Sequence, residues 1–208
     1  MEDITNKVRS NGRNYSIRSN RTRFFFPDEW IKFYDSLRVG QQLTFDFIIN
    51  TGARINEARH VKVEDIDLIN KRIILRVTKV KARKGEKNPK PRTISISTSF
   101  AKRLKKCMNG KSNEEVIGIL STPAANIAMK KALNKIGIKD YYMFSTHNVR
   151  KTHGNWLKAL GVDGAEICTR LGHDYNTFLE SYSSPDIFNW KEKDKMRMIL
   201  GDLYERRG

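Results

Sequence analysis

FSTHNVRKTHGNWLKALGVDGAEICTRLGHDYNTFLESY, residues 144–182, gathers histidines, an arginine and a tyrosine at telling intervals. It holds three of the four histidines of the chain, an arginine three residues after the first of them, and a phenol nine residues after the last. His147 and Arg150 are one helical turn apart, so a helix beginning near Thr146 presents both to the same side. Gly172 suits the end of a second helix, with His173 just beyond it, and Tyr182 follows one more short helix.

Outward from this stretch, toward the N-terminus, the pattern is helical with one interruption. FFFPDEW opens a helix: Pro27 fits its first turn, Asp28 and Glu29 its positive end, and Trp30, Ile31, Phe33, Tyr34 and Leu37 its apolar face. Gly40 is the expected stop. The next run, GQQLTFDFIINTG, is nearly apolar along Leu43, Phe45, Phe47, Ile48 and Ile49, which predicts a helix central to the core. In ARINEARHVKVEDIDL, Arg54 and Glu57 lie three apart at the start of a third helix. A surface ion pair there contributes only a few tenths of a kcal/mol, yet the turn after a buried helix is a poor place for a merely solvated arginine.

RIILRVT (72–78) and RTISIS (92–97) alternate as strands do. From Lys71 to Arg92 there are ten basic residues and one acid, Glu86, so the predicted hairpin is either a solvated tip or a finger laid along phosphates. The overall charge favours the finger, with Lys81, Arg83, Lys84 and Lys87 as its contacts. SFAKRLKKCM reads as a basic amphipathic helix, and VIGIL as a short buried segment. STPAANIAMKKALNKIG has Ser121 or Thr122 as N-cap and Gly137 past its end. Near the C-terminus, Met196, Ile199, Leu200 and Leu203 form an apolar stripe that needs a partner, either its own domain or a neighbouring copy. Residues 1–23 read as a basic arm or linker, 24–186 as the main domain, and 187–208 as an amphipathic helix and tail.

At 208 residues the chain is long enough to bury a core, and its net charge of +17 with a pI near 10.0 expects a polyanion. Cys107 and Cys168 show no metal spacing and read as small, partly buried hydrophobes suited to a reducing compartment. No apolar run approaches the ~20 residues of a membrane span, and no signal-peptide core is evident. The expectation is an intracellular protein, cytoplasmic or nucleoid-associated, with no membrane partner; a virus or plasmid is a candidate source.

Imidazole, guanidinium and phenol together suit the holding of a phosphodiester while a tyrosine oxygen attacks phosphorus. TGARINE, HNVRKTHGNWL and LGHDYNTFLESY, in that order and with a basic hairpin between the first two, resemble the boxes of the tyrosine recombinase (phage integrase) family. The resemblance runs from about Phe24 to Pro185. Any one box is weak evidence, since a lone histidine or tyrosine is more often structural; the joint placement reverses that. The fold implied is α+β, mostly helical, the tyrosine recombinase catalytic-domain fold with a small antiparallel β-sheet.

The resemblance also implies roles. Tyr182 would attack the scissile phosphate to give a 3′-phosphotyrosyl bond, while Arg54 and Arg150 clamp the non-bridging oxygens. His147 lies where the family's proton acceptor sits, and His173 where a hydrogen-bond donor to phosphate sits. Glu57 matches the supporting acid. A lysine should protonate the departing 5′-oxygen; Lys79 best resembles its position, with Lys81 and Lys84 close alternatives. Lys151 stands where many relatives carry a second histidine and is a candidate DNA contact; His153 reads as a helix residue near the site.

No metal, cofactor or ATP is implied. The partner would be double-stranded DNA, with self-assembly to a tetramer on it and a monomer alone, the C-terminal helix linking neighbours. The separate N-terminal helical domain of full recombinases is not evident, so weak, steeply salt-dependent DNA binding is expected. A type IB topoisomerase-like relaxing enzyme and a non-catalytic DNA-binding module are the rival readings.

Overall fold

The computed structural model describes residues 5–8, 14–17, 23–76, 91–172, 175–176 and 187–204. Eight α-helices and two small antiparallel sheets are found among them. A two-stranded ribbon, β1 (Thr5–Val8) and β2 (Asn14–Ile17), lies in the segment expected to be an arm. The helices are α1 (Pro27–Ser36), α2 (Val39–Thr51), α3 (Ile55–Arg59), α4 (Thr98–Met108), α5 (Thr122–Lys135), α6 (Thr146–Ala159), α7 (Gly164–Leu171) and α8 (Trp190–Leu200). The second sheet has the order β3–β4–β5, where β3 is Ile66–Asp67, β4 Arg72–Leu75 and β5 Arg92–Ser95. Ile73 faces Ile94 across β4 and β5, and Ile66 faces Ile73 across β3 and β4.

Helix α2 is the shared wall of two apolar clusters. Phe45, Ile48 and Ile49 pack with Phe24, Phe25, Trp30 and Phe33 on one side, and with Met129, Trp156, Leu157 and Leu171. Phe47, two residues from Phe45, instead joins Ile73, Leu75, Ile94, Phe100 and Leu104 beside the sheet. A helix hydrophobic nearly all round is one buried on all sides, and from Thr44 to Thr51 every residue of α2 is buried.

Several boundaries depart from the sequence expectation. Gly40 does not end α1: Leu37 and Arg38 are extended, and Gly40 falls in the first turn of α2, whose N-cap Arg38 donates its backbone N–H to Gln41 Oε1 at 3.1 Å. Arg23, assigned to the arm, is fully buried. It pairs with Glu29 at 2.8 Å and Asp140 at 2.6 Å, and its guanidinium lies 4.4 Å from the ring centre of Phe144. Its carbonyl accepts from Asn148 Nδ2 at 2.7 Å, so the chain is fastened to α6 immediately before the three phenylalanines. The C-terminal stripe folds back on its own domain: Met196 and Leu200 are buried in the first cluster, while Trp190 and Met198 face outward. Ser121 is the N-cap of α5, its hydroxyl accepting from Ala124 N–H at 3.3 Å. Both cysteines are partly buried.

Candidate active site

The site is built on the end of α2. A helix leaves its last carbonyls without partners inside the helix, and here side chains from α6 and α7 take them. His153 Nδ1 lies 2.7 Å from the carbonyl of Ile49, Arg170 Nη2 donates to that of Asn50 at 3.4 Å, and Arg150 Nη1 donates to that of Gly52. A cation at a helix C-terminus is also favoured by the helix dipole. Gly52 is left-handed, with φ of 66°, and a Cβ there would lie 2.6 Å from His153 Cδ2 and 2.8 Å from a Leu171 methyl. The turn therefore needs glycine, and it delivers Arg54 to the N-cap of α3.

Since a carbonyl only accepts, His153 carries its proton on Nδ1. Nε2 is buried with no hydrogen-bond partner. Burial foremost, then the charges of Arg170 and Arg150, push the imidazole down to about 3 against the opposing pull of the Ile49 carbonyl. It is a neutral, buried histidine of α6, where the sequence placed a helix residue near the site.

Glu57, only 4% exposed, ties the arginines together. Its Oε2 accepts from the backbone N–H of Arg54 at 2.7 Å, closing the N-terminus of α3, and Oε1 accepts from Arg54 Nη1 at 3.0 Å. Arg92, the first residue of β5, forms a bidentate pair with the same carboxylate at 2.9 and 2.7 Å. Arg150 Nη1 is 4.0 Å from Oε2. Burial would raise the Glu57 carboxyl, but the hydrogen bonds and charge of Arg92 outweigh it, helped by the Arg54 N–H and the charge of Arg150. The result is a pKa of about 2. Three guanidinium groups against one carboxylate leave an excess of positive charge, which is how a protein prepares a place for an anion.

The sequence-predicted residues fall into three groups. Arg54, Glu57 and Arg150 converge. Arg54 keeps half its side-chain surface open, whereas Arg150 is 1% exposed, its Nη2 donating to the carbonyl of Leu171. His147 shares α6 with Arg150 but not its surroundings: it is exposed on the first turn, while Arg150 points under the end of α2. The helix starts at Thr146 as expected, with Asn148 Oδ1 accepting from Ser145 N–H at 2.8 Å. Lys151, a candidate DNA contact, is 6% exposed. Lys79, Lys81, Arg83, Lys84, Lys87, His173 and Tyr182 lie outside the described residues. Among the described residues no group of His, Cys, Asp and Glu is arranged to hold a metal, and no described helix is long and apolar enough to cross a membrane.

Two residues escaped the sequence reading. Arg92 was one of ten basic residues in the hairpin segment, and Arg170 went unremarked. Arg92 Nε donates to the carbonyl of Arg170 at 2.9 Å, and Arg170 Nη2 donates to the carbonyl of Ser95 at 3.0 Å. Strand β5 and helix α7 thus hold one another through reciprocal side-chain-to-backbone bonds.

The model of the phage integrase family matches residues 28–186, which include Arg54, Glu57, Arg92 and Arg150. The chain belongs to the phage integrase family. Among solved structures, this family member is similar to XerA recombinase at 17% identity and a TM-score of 0.62, over 85% of this chain and 64% of that one. The Tn1549 transposon integrase, solved in complex with circular intermediate DNA, matches at 13% identity and a TM-score of 0.63, over 86% and 67%. A lambda integrase dimer bound to a core site matches at 17% and 0.59, over 82% and 62%. The shared fold is that of tyrosine recombinase catalytic domains, and the chain spans about two thirds of these relatives' length. No curated protein sequence matches it.

Proposed function

We propose that this integrase-family domain cleaves and rejoins DNA strands through a covalent tyrosyl intermediate in site-specific recombination, as in integration or excision of a mobile element. The observation that carries it is the convergence of Arg54, Arg92 and Arg150 on one buried carboxylate, at a place with excess positive charge. Family membership supports the same reading.

In the proposed reaction the Tyr182 oxygen bonds to the scissile phosphorus and passes its proton toward His147, while the bond from phosphorus to the 5′-oxygen breaks. Lys79 protonates that leaving oxygen, and His173 donates a hydrogen bond to the phosphorane. Arg54, already open, takes a non-bridging oxygen; Arg150 takes the other by exchanging one of its two carbonyl acceptors for it. Guanidinium and ammonium groups supply the charge that a divalent metal would otherwise bring, so no metal is required. The phosphotyrosyl ester conserves the energy of the broken linkage, so ATP is not required either. Lys81, Arg83, Lys84 and Lys87 would contact the DNA backbone, whereas Lys151, buried in α6, is too enclosed to serve as such a contact, and strand exchange would bring four copies together on two duplexes.

A duplex nicked beside the cleavage point tests this, because loss of the short fragment traps the covalent complex. Adduct on Tyr182, abolished in Tyr182→Phe with DNA binding retained, is the expected result. Cleavage by Tyr182→Phe would overturn the assignment. Plasmid relaxation without recombination between two sites would favour the topoisomerase-like reading, and binding without adduct a non-catalytic module.

A further inference from the structure

We propose that Arg92 is a positioning residue for strand cleavage, the clamp that makes the hairpin's return strand, the first arginine box and the end of α7 move as one unit. The inference rests on the recombinase reading and adds a residue to it. Its guanidinium uses all three nitrogens: Nη1 and Nη2 grip both oxygens of Glu57, and Nε holds the carbonyl of Arg170. The planar fork of arginine can bridge a carboxylate and a carbonyl at once, which a lysine ammonium on a flexible stem does not reproduce. The side chain is 12% exposed, so it is not an open phosphate contact like Arg54.

The start of α3, the end of α7 and the start of β5 meet at this residue. Glu57 orders Arg54 through both its side chain and its backbone N–H. Arg170 is three residues before His173, and Gly172 is packed against Arg92, with a Cβ at Gly172 falling 3.4 Å from Nη1. Arg92 itself opens β5, the strand that follows the lysine-rich segment holding Lys79, Lys81 and Lys84. Among the described residues, the charged groups facing Glu57 are Arg54 at the start of α3, Arg150 from α6 and Arg92 from β5. Arg92 is the one of these whose guanidinium meets both oxygens, so its removal leaves Glu57 freer to take up a proton.

The experiment compares the intact chain with Arg92→Gln, Arg92→Lys and the double variant Arg92→Gln/Glu57→Gln. Adduct formation on the nicked duplex is followed at saturating protein from acid to neutral pH, beside DNA affinity and melting temperature. The expected result for Arg92→Gln is a cleavage rate lower by about 10²-fold, the usual cost of misplaced catalytic groups, with DNA affinity nearly unchanged. Its rate should also fall away at a higher pH than that of the intact chain, and the double variant should lose this added acid limb. Arg92→Lys should resemble Arg92→Gln in rate. A rate unchanged in Arg92→Gln overturns the inference. So does a slower rate with an unmoved acid limb, since Arg92 would then serve the fold alone. An intact chain that forms no adduct overturns the recombinase reading itself, and this inference with it.

Discussion

Acid should dismantle this site through Glu57 in a predictable way. The carboxyl falls from an ordinary 4.5 to about 2 in the folded chain. At about 1.4 kcal/mol per tenfold change in proton affinity, that is about 3 kcal/mol of stability. Because the folded value is the depressed one, the contribution is fully present above about pH 4.5 and is lost as pH falls toward 2. By pH 3.5 linkage gives a loss of about 1 kcal/mol. His153 titrates in the same direction, its contribution fading below its ordinary 6.5, so the measurement must be a difference. Urea unfolding of the intact chain and of Glu57→Gln, followed by tryptophan fluorescence at about pH 7, 5.5, 4.5 and 3.5, isolates it. The intact chain should be the more stable at neutral pH, with the gap constant to about pH 5 and smaller by about 1 kcal/mol at pH 3.5. A gap that stays flat, or widens with acid, would refute the idea that Glu57 is held ionised by its arginines.

Gly52→Ala should destabilise the fold by about 2 kcal/mol or more, from a left-handed residue gaining a Cβ and its collision with His153; thermal or urea unfolding reads this directly. Arg23→Ala should cost about 3–5 kcal/mol, because Glu29 and Asp140 lose the buried cation between them, and a variant as stable as the parent would show that the contact is incidental. Arg54→Ala should leave the melting temperature nearly unchanged while lowering adduct formation about 10²–10³-fold. DNA affinity should fall steeply with salt, as phosphate neutralisation requires; a salt-insensitive affinity would exclude phosphate contact as the main grip.

Much of the fold was legible because local signals agreed with burial. The apolar run Leu43–Ile49 marked the buried helix, Pro27 the start of α1, Ser121 the start of α5, and Gly172 the end of α7, which is left-handed. Gly40 misled, since a glycine can sit in a first turn as well as after a last one, and its neighbours Leu37 and Arg38 carry the break. The two-residue β3 is too short to show a period. At the site, the i to i+3 spacing of Arg54 and Glu57 was readable, because one turn of helix brings such residues together. Arg92 was not, since its partner lies 35 residues away, and charge alone does not tell a guanidinium locked on a carboxylate from one in water. Arg23 was missed for the same reason, its contact with Asp140 spanning 117 positions.

The last turn of α2 is held from below by His153, Arg170 and Arg150, while its flanks fill both oily compartments of the molecule. A fold with a common partition of this kind cannot lose one compartment and keep the other, since either loss strips the same rod. The arginine cluster hanging from that rod should have no melting point of its own, so heat or denaturant should dismantle it and the global structure in a single step.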